Sequence, residues 1–406
     1  MEVSQTTLIA IAGVLIIGAT LIASLLGRTR VPSLVGFILL GFGVRLLNRE
    51  LPLLSDQSIV VFDFLANLGI ICLLFRVGLE SHIAQLVRQL SRAGVVWIAD
   101  IVVSGSLGFL VGRVLLDLTL IQSLFVAVAL TATSVGVTVL IWKEAGALDS
   151  PTGALLVDVA ELDDVSGVAL MALLIASAPA IRSGAGGALV STAGATLGVF
   201  LLKAVGFAAL CYGFAHYAER RVTAFLRRYM DAVGLALVVA GIGLMIAALT
   251  EWLGFSFAIG AFFAGLVFSR DPDRFRIDTS FKSIHDFLVP FFFIHIGLSV
   301  DPGVLGGALA PAAVILMAAV IGKLAGPGLA SIPVVGLWGG LAIGTSMGVR
   351  AEIAMLVMDR GRRLGDWAVT PGLFNAAVLA ALTTCIALPI VTRLVLMSRQ
   401  GKAAVQ

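Results

Sequence analysis

Charge is scarce in this chain: only 13% of its 406 residues are Asp, Glu, Lys or Arg, against about 25% in an ordinary soluble domain. With 59% hydrophobic residues and a mean hydropathy of +1.08, there are too few polar side chains to cover a soluble particle, so lipid is the outer solvent. Cysteine is scarce too. Cys72, Cys211 and Cys385 each lie inside an apolar stretch, which excludes a disulfide framework and reads as three packed thiols. Basic runs interleaved with aromatics are missing, which argues against a nucleic-acid partner. The Met-Glu-Val-Ser-Gln start has no basic segment ahead of its apolar run, so the first run is expected to stay as a helix and not to be cleaved. Spacings for a zinc site, a phosphate-binding loop, a nucleophile triad or a dinucleotide motif are lacking, so no enzyme and no resident cofactor is expected.

What is present is a series of long apolar runs. A span needs roughly 17–25 mostly apolar residues. About thirteen candidates satisfy this rule, near 6–26, 32–48, 58–79, 94–116, 120–141, 152–177, 188–217, 229–251, 254–269, 282–300, 303–326, 333–358 and 372–396. Period-2 alternation is lacking, so the spans read as α-helices and not as barrel strands. The fold class is all-α and polytopic, one transmembrane unit over 1–406. Lys and Arg concentrate after odd-numbered spans, as at Arg28, Arg88, Lys143, Arg220 and Arg270, and in the tail at Arg399 and Lys402. That bias predicts an outside N-terminus and a cytoplasmic C-terminus. Arg360, Arg362 and Arg363 oppose it.

The sequence also repeats itself. Leu74-Phe75-Arg76-Val77-Gly78-Leu79 ends the third span, and Phe293-Ile294-His295-Ile296-Gly297-Leu298 ends the tenth. Gly36 and Gly41 in the second span are echoed by Gly260 and Gly265 in the ninth. Both matches pair one span with the seventh after it. An odd shift sets the two copies in opposite orientations, and inverted repeats of this kind mark transporters with a midplane site.

The chemistry is carried by polar residues inside the spans. Leu162-Asp163-Asp164-Val165 falls near the middle of the sixth span, and Lys323 lies well inside the eleventh. Each such charge costs about 2.5–3.5 kcal/mol on insertion scales, so the three together cost roughly 10 kcal/mol, comparable with the net stability of a whole domain. Carboxylates suit a hard monovalent cation, and one carboxylate holds either a proton or a cation, so competition for the site couples the two fluxes. Asp164 reads as the main ligand and Asp163 as the partner facing Lys323. Two stretches rich in small polar residues are candidate broken helices: Thr131-Ala132-Thr133-Ser134 in the fifth span, and Thr345-Ser346-Met347-Gly348-Val349-Arg350-Ala351-Glu352 in the twelfth. They offer hydroxyl and carbonyl oxygens where backbone is freed, with Thr133 joining Asp164 and Asp163 around sodium. Arg350 and Glu352 would balance each other or the exposed helix dipoles. Arg76 and Glu80 read as a structural pair, Asp158 and Glu161 as an access funnel or arginine partners, and His285 and His295 as structural histidines.

These elements, together with Val31-Pro32-Ser33-Leu34-Val35-Gly36, Phe291-Phe292-Phe293 and Gly297-Leu298-Ser299, resemble bacterial sodium/proton antiporters of the second monovalent cation:proton antiporter family over nearly the whole chain. The resemblance implies a homodimer in the inner membrane. It implies a scaffold of residues 1–90 and 188–300, an ion-translocating core of 91–180 and 303–397, and crossed broken helices in the fifth and twelfth spans. It further implies electrogenic exchange of Na⁺ (or Li⁺) for H⁺ by an elevator-like movement. Arg76 and Glu161 depart from the family's usual small or apolar residues. A potassium/proton antiporter on the same scaffold is the nearest rival; that branch usually has glutamine in place of Asp163. A sodium-coupled solute symporter is the second rival. An intramembrane aspartyl protease lacks its Gly-x-Gly-Asp setting here.

Overall fold

The structure is a computed structural model. It describes the chain outside residues 1–4, 28–30, 52–53, 81–82, 184–197, 253–256, 269–278, 399–406 and scattered positions between 199 and 231. The expected seventh span therefore lies largely outside the described residues. Among those residues every regular element is helical. Among the described residues seven helical stretches are long and apolar enough to cross a membrane, and three further apolar helices are shorter.

Two compact units divide the chain: residues 1–21, 37–85 and 176–298 form one, and residues 22–36, 86–175 and 299–406 the other. The first holds most of α1 (Gln5–Leu26) and α2 (Ser33–Glu50), with α3 (Asp56–Glu80), α8 (Ala232–Trp252), α9 (Phe257–Phe268) and α10 (Thr279–Ser299). In lipid, helices associate by close packing because the tails outside are as apolar as the side chains within. Glycine permits the closest approach, and this unit uses it in two reciprocal pairs. A Cβ on Gly78 of α3 would overlap the carbonyl oxygen of Phe262 in α9, and one on Gly265 of α9 would overlap that of Phe75 in α3. Gly41 of α2 lies against the Ile294 carbonyl of α10 in the same way, and Gly297 of α10 against the Ile38 carbonyl of α2.

The second unit contains most of α4 (Ile83–Leu110, followed by a π-helical turn, Val111–Leu115) and of α7 (Pro151–Arg182), with α5 (Leu120–Thr131), α6 (Val135–Glu144), α11 (Leu305–Lys323), α12 (Leu329–Met347), α13 (Glu352–Leu364) and α14 (Pro371–Met397). α4 starts well before its predicted span because its first turns carry Gln85, Arg88, Gln89 and Arg92, which are good helix formers that an apolar window rejects. A capping box opens α5: the Thr119 hydroxyl accepts from the Gln122 amide N–H, and the Gln122 side chain accepts from the Thr119 N–H. Between α11 and α12 runs a π-helical turn, Leu324–Gly328, containing Pro327. Proline lacks an N–H and its ring strikes the carbonyl four residues back, here that of Lys323, which explains the widened turn. Gly336 then takes φ 75° and ψ 174°, a left-handed conformation open to glycine, and kinks α12. The kink returns the chain on itself, so that Gly340 and Gly344 lie against the backbone of Gly328 and Lys323.

Candidate functional site

Helix α5 stops at Thr131, and Ala132 and Ser134 take extended backbone (φ −67°, ψ 143° and φ −88°, ψ 103°) before α6 begins. α12 stops at Met347, and α13 begins only at Glu352. Each gap frees carbonyls on one side and N–H groups on the other, which must find partners where water is excluded. They find them across the two gaps. The Ser134 amide donates to the Val349 carbonyl at 3.0 Å. The Thr133 hydroxyl lies 3.2 Å from the Met347 carbonyl, and the Thr138 hydroxyl donates to the Ser346 carbonyl at 3.0 Å. Trp142 Nε1 donates to Ser346 Oγ at 2.7 Å.

The charges follow the helix dipoles. Carboxyl ends of helices favour cations and amino ends favour anions. The Arg350 guanidinium donates to the Ala132 carbonyl at the end of α5 and lies 3.5 Å from the Met347 carbonyl at the end of α12. Glu352, in the first turn of α13, accepts at 2.8 Å from the hydroxyl of Ser134, the residue just ahead of α6. Arg350 and Glu352 thus each take a helix end. The Arg350 amide donates to Thr384 Oγ1 at 2.9 Å, anchoring the second gap to α14.

Beside the gaps sits Lys323, with none of its side chain exposed. Pro327 and the close approach of Gly344 hold its backbone, and Nζ reaches four oxygens. These are a carboxylate oxygen of Asp100, Asp163 Oδ2 at 2.8 Å, the Thr131 carbonyl at 2.6 Å and Thr133 Oγ1 at 2.8 Å. Asp163 Oδ2 also accepts from the Thr133 hydroxyl at 2.7 Å. Its second oxygen, Asp163 Oδ1, is buried and has no hydrogen-bond partner among the described residues. Trp97 on α4 fixes the height of α7 by donating to Ser166 Oγ at 3.1 Å, while Ser166 donates to the Asp163 carbonyl at 3.0 Å. An anionic oxygen without a donor is costly in a dry interior, so the arrangement is suited to a bound cation or proton. A hard alkali cation takes oxygen ligands, and Asp163, Asp164, Thr133 and the freed carbonyls offer only oxygen.

The family profile described as sodium/hydrogen exchanger, transmembrane, matches residues 13–398. The chain belongs to this exchanger family. It is 27% identical over 350 residues to the high-affinity Na⁺/H⁺ antiporter NhaS3 of Synechocystis, covering 82% of this chain and 71% of that one. It is 24% identical over 352 residues to the Na⁺/H⁺ antiporter of Enterococcus hirae, covering 86% and 88%. In fold it is similar to the sodium proton antiporter MjNhaP1 of Methanocaldococcus jannaschii, with a TM-score of 0.68, 15% identity and 99% of each chain covered.

Within this exchanger, then, the structure brings Asp163, Thr131, Thr133 and Lys323 into one cluster, with Ser134, Ser346, Arg350 and Glu352 bracing the gaps beside it. Asp164 is buried, 8% exposed, and points about 100° away from Asp163 around the axis of α7. Asp158 and Glu161 are half-buried on the same helix. His285 contacts its neighbour Asp286 at 3.1 Å, and His295 of α10 lies 3.7 Å from Asp63 of α3. Arg76 is half-buried; the side chain of Glu80, its expected partner, lies outside the described residues. The three cysteines are buried free thiols.

Asp100 is the residue that sequence reasoning missed. It is fully buried in α4, binds Lys323 through one oxygen and accepts from Ser104 Oγ at 2.8 Å through the other. The available signal was a lone carboxylate in the middle of Trp97-Ile98-Ala99-Asp100-Ile101-Val102-Val103.

Proposed function

We propose that this exchanger moves Na⁺ (or Li⁺) against H⁺, with Asp163 and Asp164 as the side chains over which the two compete. The observation that carries the reading is the divided Asp163 carboxylate. One oxygen is tied to Lys323 and Thr133, and the other is buried and unpartnered. In the cation-loaded state Asp163, Asp164 and Thr133 supply oxygen to the ion, and the ammonium of Lys323 withdraws from Asp163. In the proton-loaded state protons take the place of the ion on the carboxylates. The family membership of its relatives, named for Na⁺/H⁺ exchange, supports the choice of ion.

Alternating access is proposed as an elevator-like movement of residues 91–180 and 303–397 against a scaffold of 1–90 and 188–300, in a homodimer of the inner membrane. All the clustered side chains come from one of the two compact units, so one body can carry them together. Two inverted repeats are part of the same reading. The repeat pairs α2 with α9 and α3 with α10, so it exchanges the α2–α10 glycine contact with the α3–α9 contact, and both contacts have the same reciprocal geometry. The gaps after Thr131 and Met347 fall in the fifth and twelfth spans, which the same shift relates. The N-terminus is assigned to the outside and the C-terminus to the cytoplasm. More than one proton per cation makes the exchange electrogenic, worth about 2.3 kcal/mol per net charge per 100 mV.

Proteoliposomes containing a pH dye and challenged in turn with sodium, lithium and potassium test the reading. Sodium and lithium should release protons without any solute, and potassium should not. Proton movement driven by potassium alone would reassign the cation, and movement that needs an organic solute would reassign the class.

A further inference from the structure

We infer that Asp100 is a positioning residue that sets the exchanger's cation affinity by holding Lys323 when the ion takes Asp163. The inference rests on the reading above, in which Asp163 is a cation ligand. An ammonium has three protons to donate, and Lys323 Nζ has four oxygens in reach, two of them from carboxylates. The two carboxylates are not equivalent. Both oxygens of Asp100 are engaged, one by Lys323 and one by Ser104, and the group is sealed inside α4 with no exposure. Asp163 has one oxygen engaged and one unpartnered. An incoming cation therefore meets Asp163 as the half-satisfied acceptor and Asp100 as the saturated one.

Cation binding at Asp163 must loosen the Lys323–Asp163 contact, because sodium and ammonium repel. Removing the partner of a buried charge is far more costly than forming the pair is favourable. Asp100 removes most of that cost: the ammonium that leaves Asp163 keeps a carboxylate, the Thr131 carbonyl and Thr133 Oγ1. Without Asp100 the only carboxylate left to Lys323 would be the ion's own ligand, and lysine and cation would compete for it directly.

The experiment is sodium-driven proton flux in proteoliposomes, with KM and maximal rate measured separately. Asp100→Asn should raise the sodium KM by about tenfold or more while the maximal rate falls by much less, since the altered term is displacement of lysine. Asp100→Glu, which restores the charge, should recover most of the affinity. In a Lys323→Met background there is no ammonium to hold, so adding Asp100→Asn should leave the sodium KM of Lys323→Met unchanged. A folded Asp100→Asn variant with the parental KM, or one whose loss falls on the maximal rate alone, overturns the inference. If Asp100→Asn alone does not fold, the double variant decides: a sodium KM raised above that of Lys323→Met also overturns it. The underlying reading fails on a different result, parental sodium KM and flux in Asp163→Asn, which does not depend on any Asp100 variant.

Discussion

Removing the Lys323 ammonium should damage stability more than any other single change in the second unit. In Lys323→Ala, two carboxylates with at most 1% exposure, Asp100 and Asp163, lose their common counter-charge. The Thr131 carbonyl and Thr133 Oγ1 lose a donor as well. Taking one partner from a buried charge pair costs about 3–5 kcal/mol, and the vacated side-chain volume adds a cavity term of the kind that costs about 2 kcal/mol or more. The sum, about 5–7 kcal/mol, is a large fraction of the whole stability of most domains. The measurement is thermal unfolding of detergent-solubilised protein at neutral pH, beside Lys143→Ala, which alters an exposed lysine at the end of α6. Lys323→Ala should unfold many degrees below the parent, and Lys143→Ala should not move. Equal melting of Lys323→Ala and the parent would refute the reasoning, because a buried triad of charges cannot lose its only cation without cost.

Asp164→Asn should abolish sodium-driven proton flux while the protein still inserts; retained flux would remove Asp164 from the site. Arg350→Ala should destabilise by about 1.5–3 kcal/mol through loss of a charge-assisted hydrogen bond at the end of α5, and Arg350→Lys should recover part of it, both read by denaturant or thermal unfolding. Ser134→Ala should cost about 1.5–3 kcal/mol, because it removes one hydrogen bond to the Glu352 carboxylate; Glu352→Ala should add little further loss in that background. Gly265→Ala should destabilise by about 1–3 kcal/mol or more through overlap with the Phe75 carbonyl. Gly372→Ala, where a Cβ meets nothing within 4 Å, should be close to neutral in the same assay.

The helices were legible because the bilayer demands long apolar runs, and hydropathy reads such runs directly. The early turns of α4 were hidden by their polar residues, and the kink at Gly336 by the apolar Val334-Val335 and Leu337-Trp338 on either side of it. Asp163 and Asp164 announced themselves as adjacent acids in mid-span. Asp100 did not, since one carboxylate scarcely lowers the hydropathy of the Ile and Val around it. The arginines that opposed the charge bias belong to helix and not to loop. Arg360, Arg362 and Arg363 lie within α13, which runs to Leu364. Arg360 is 9% exposed, Arg362 lies 5.3 Å from the ring centroid of Phe374, and Arg363 Nε donates to Asp359 at 3.0 Å. Structural charges of this kind say little about orientation. Which carbonyls the gaps release, and which of their two expected roles Arg350 and Glu352 take, depends on how the two gaps meet, and no local pattern encodes that.

The sodium KM as a function of pH tests the central claim most directly. If H⁺ and Na⁺ compete for the Asp163–Asp164 site, acidification should raise KM by about tenfold per pH unit for each competing proton, with the maximal rate at saturating sodium unchanged. A KM that stays constant with pH, while only the maximal rate varies, would contradict a shared site.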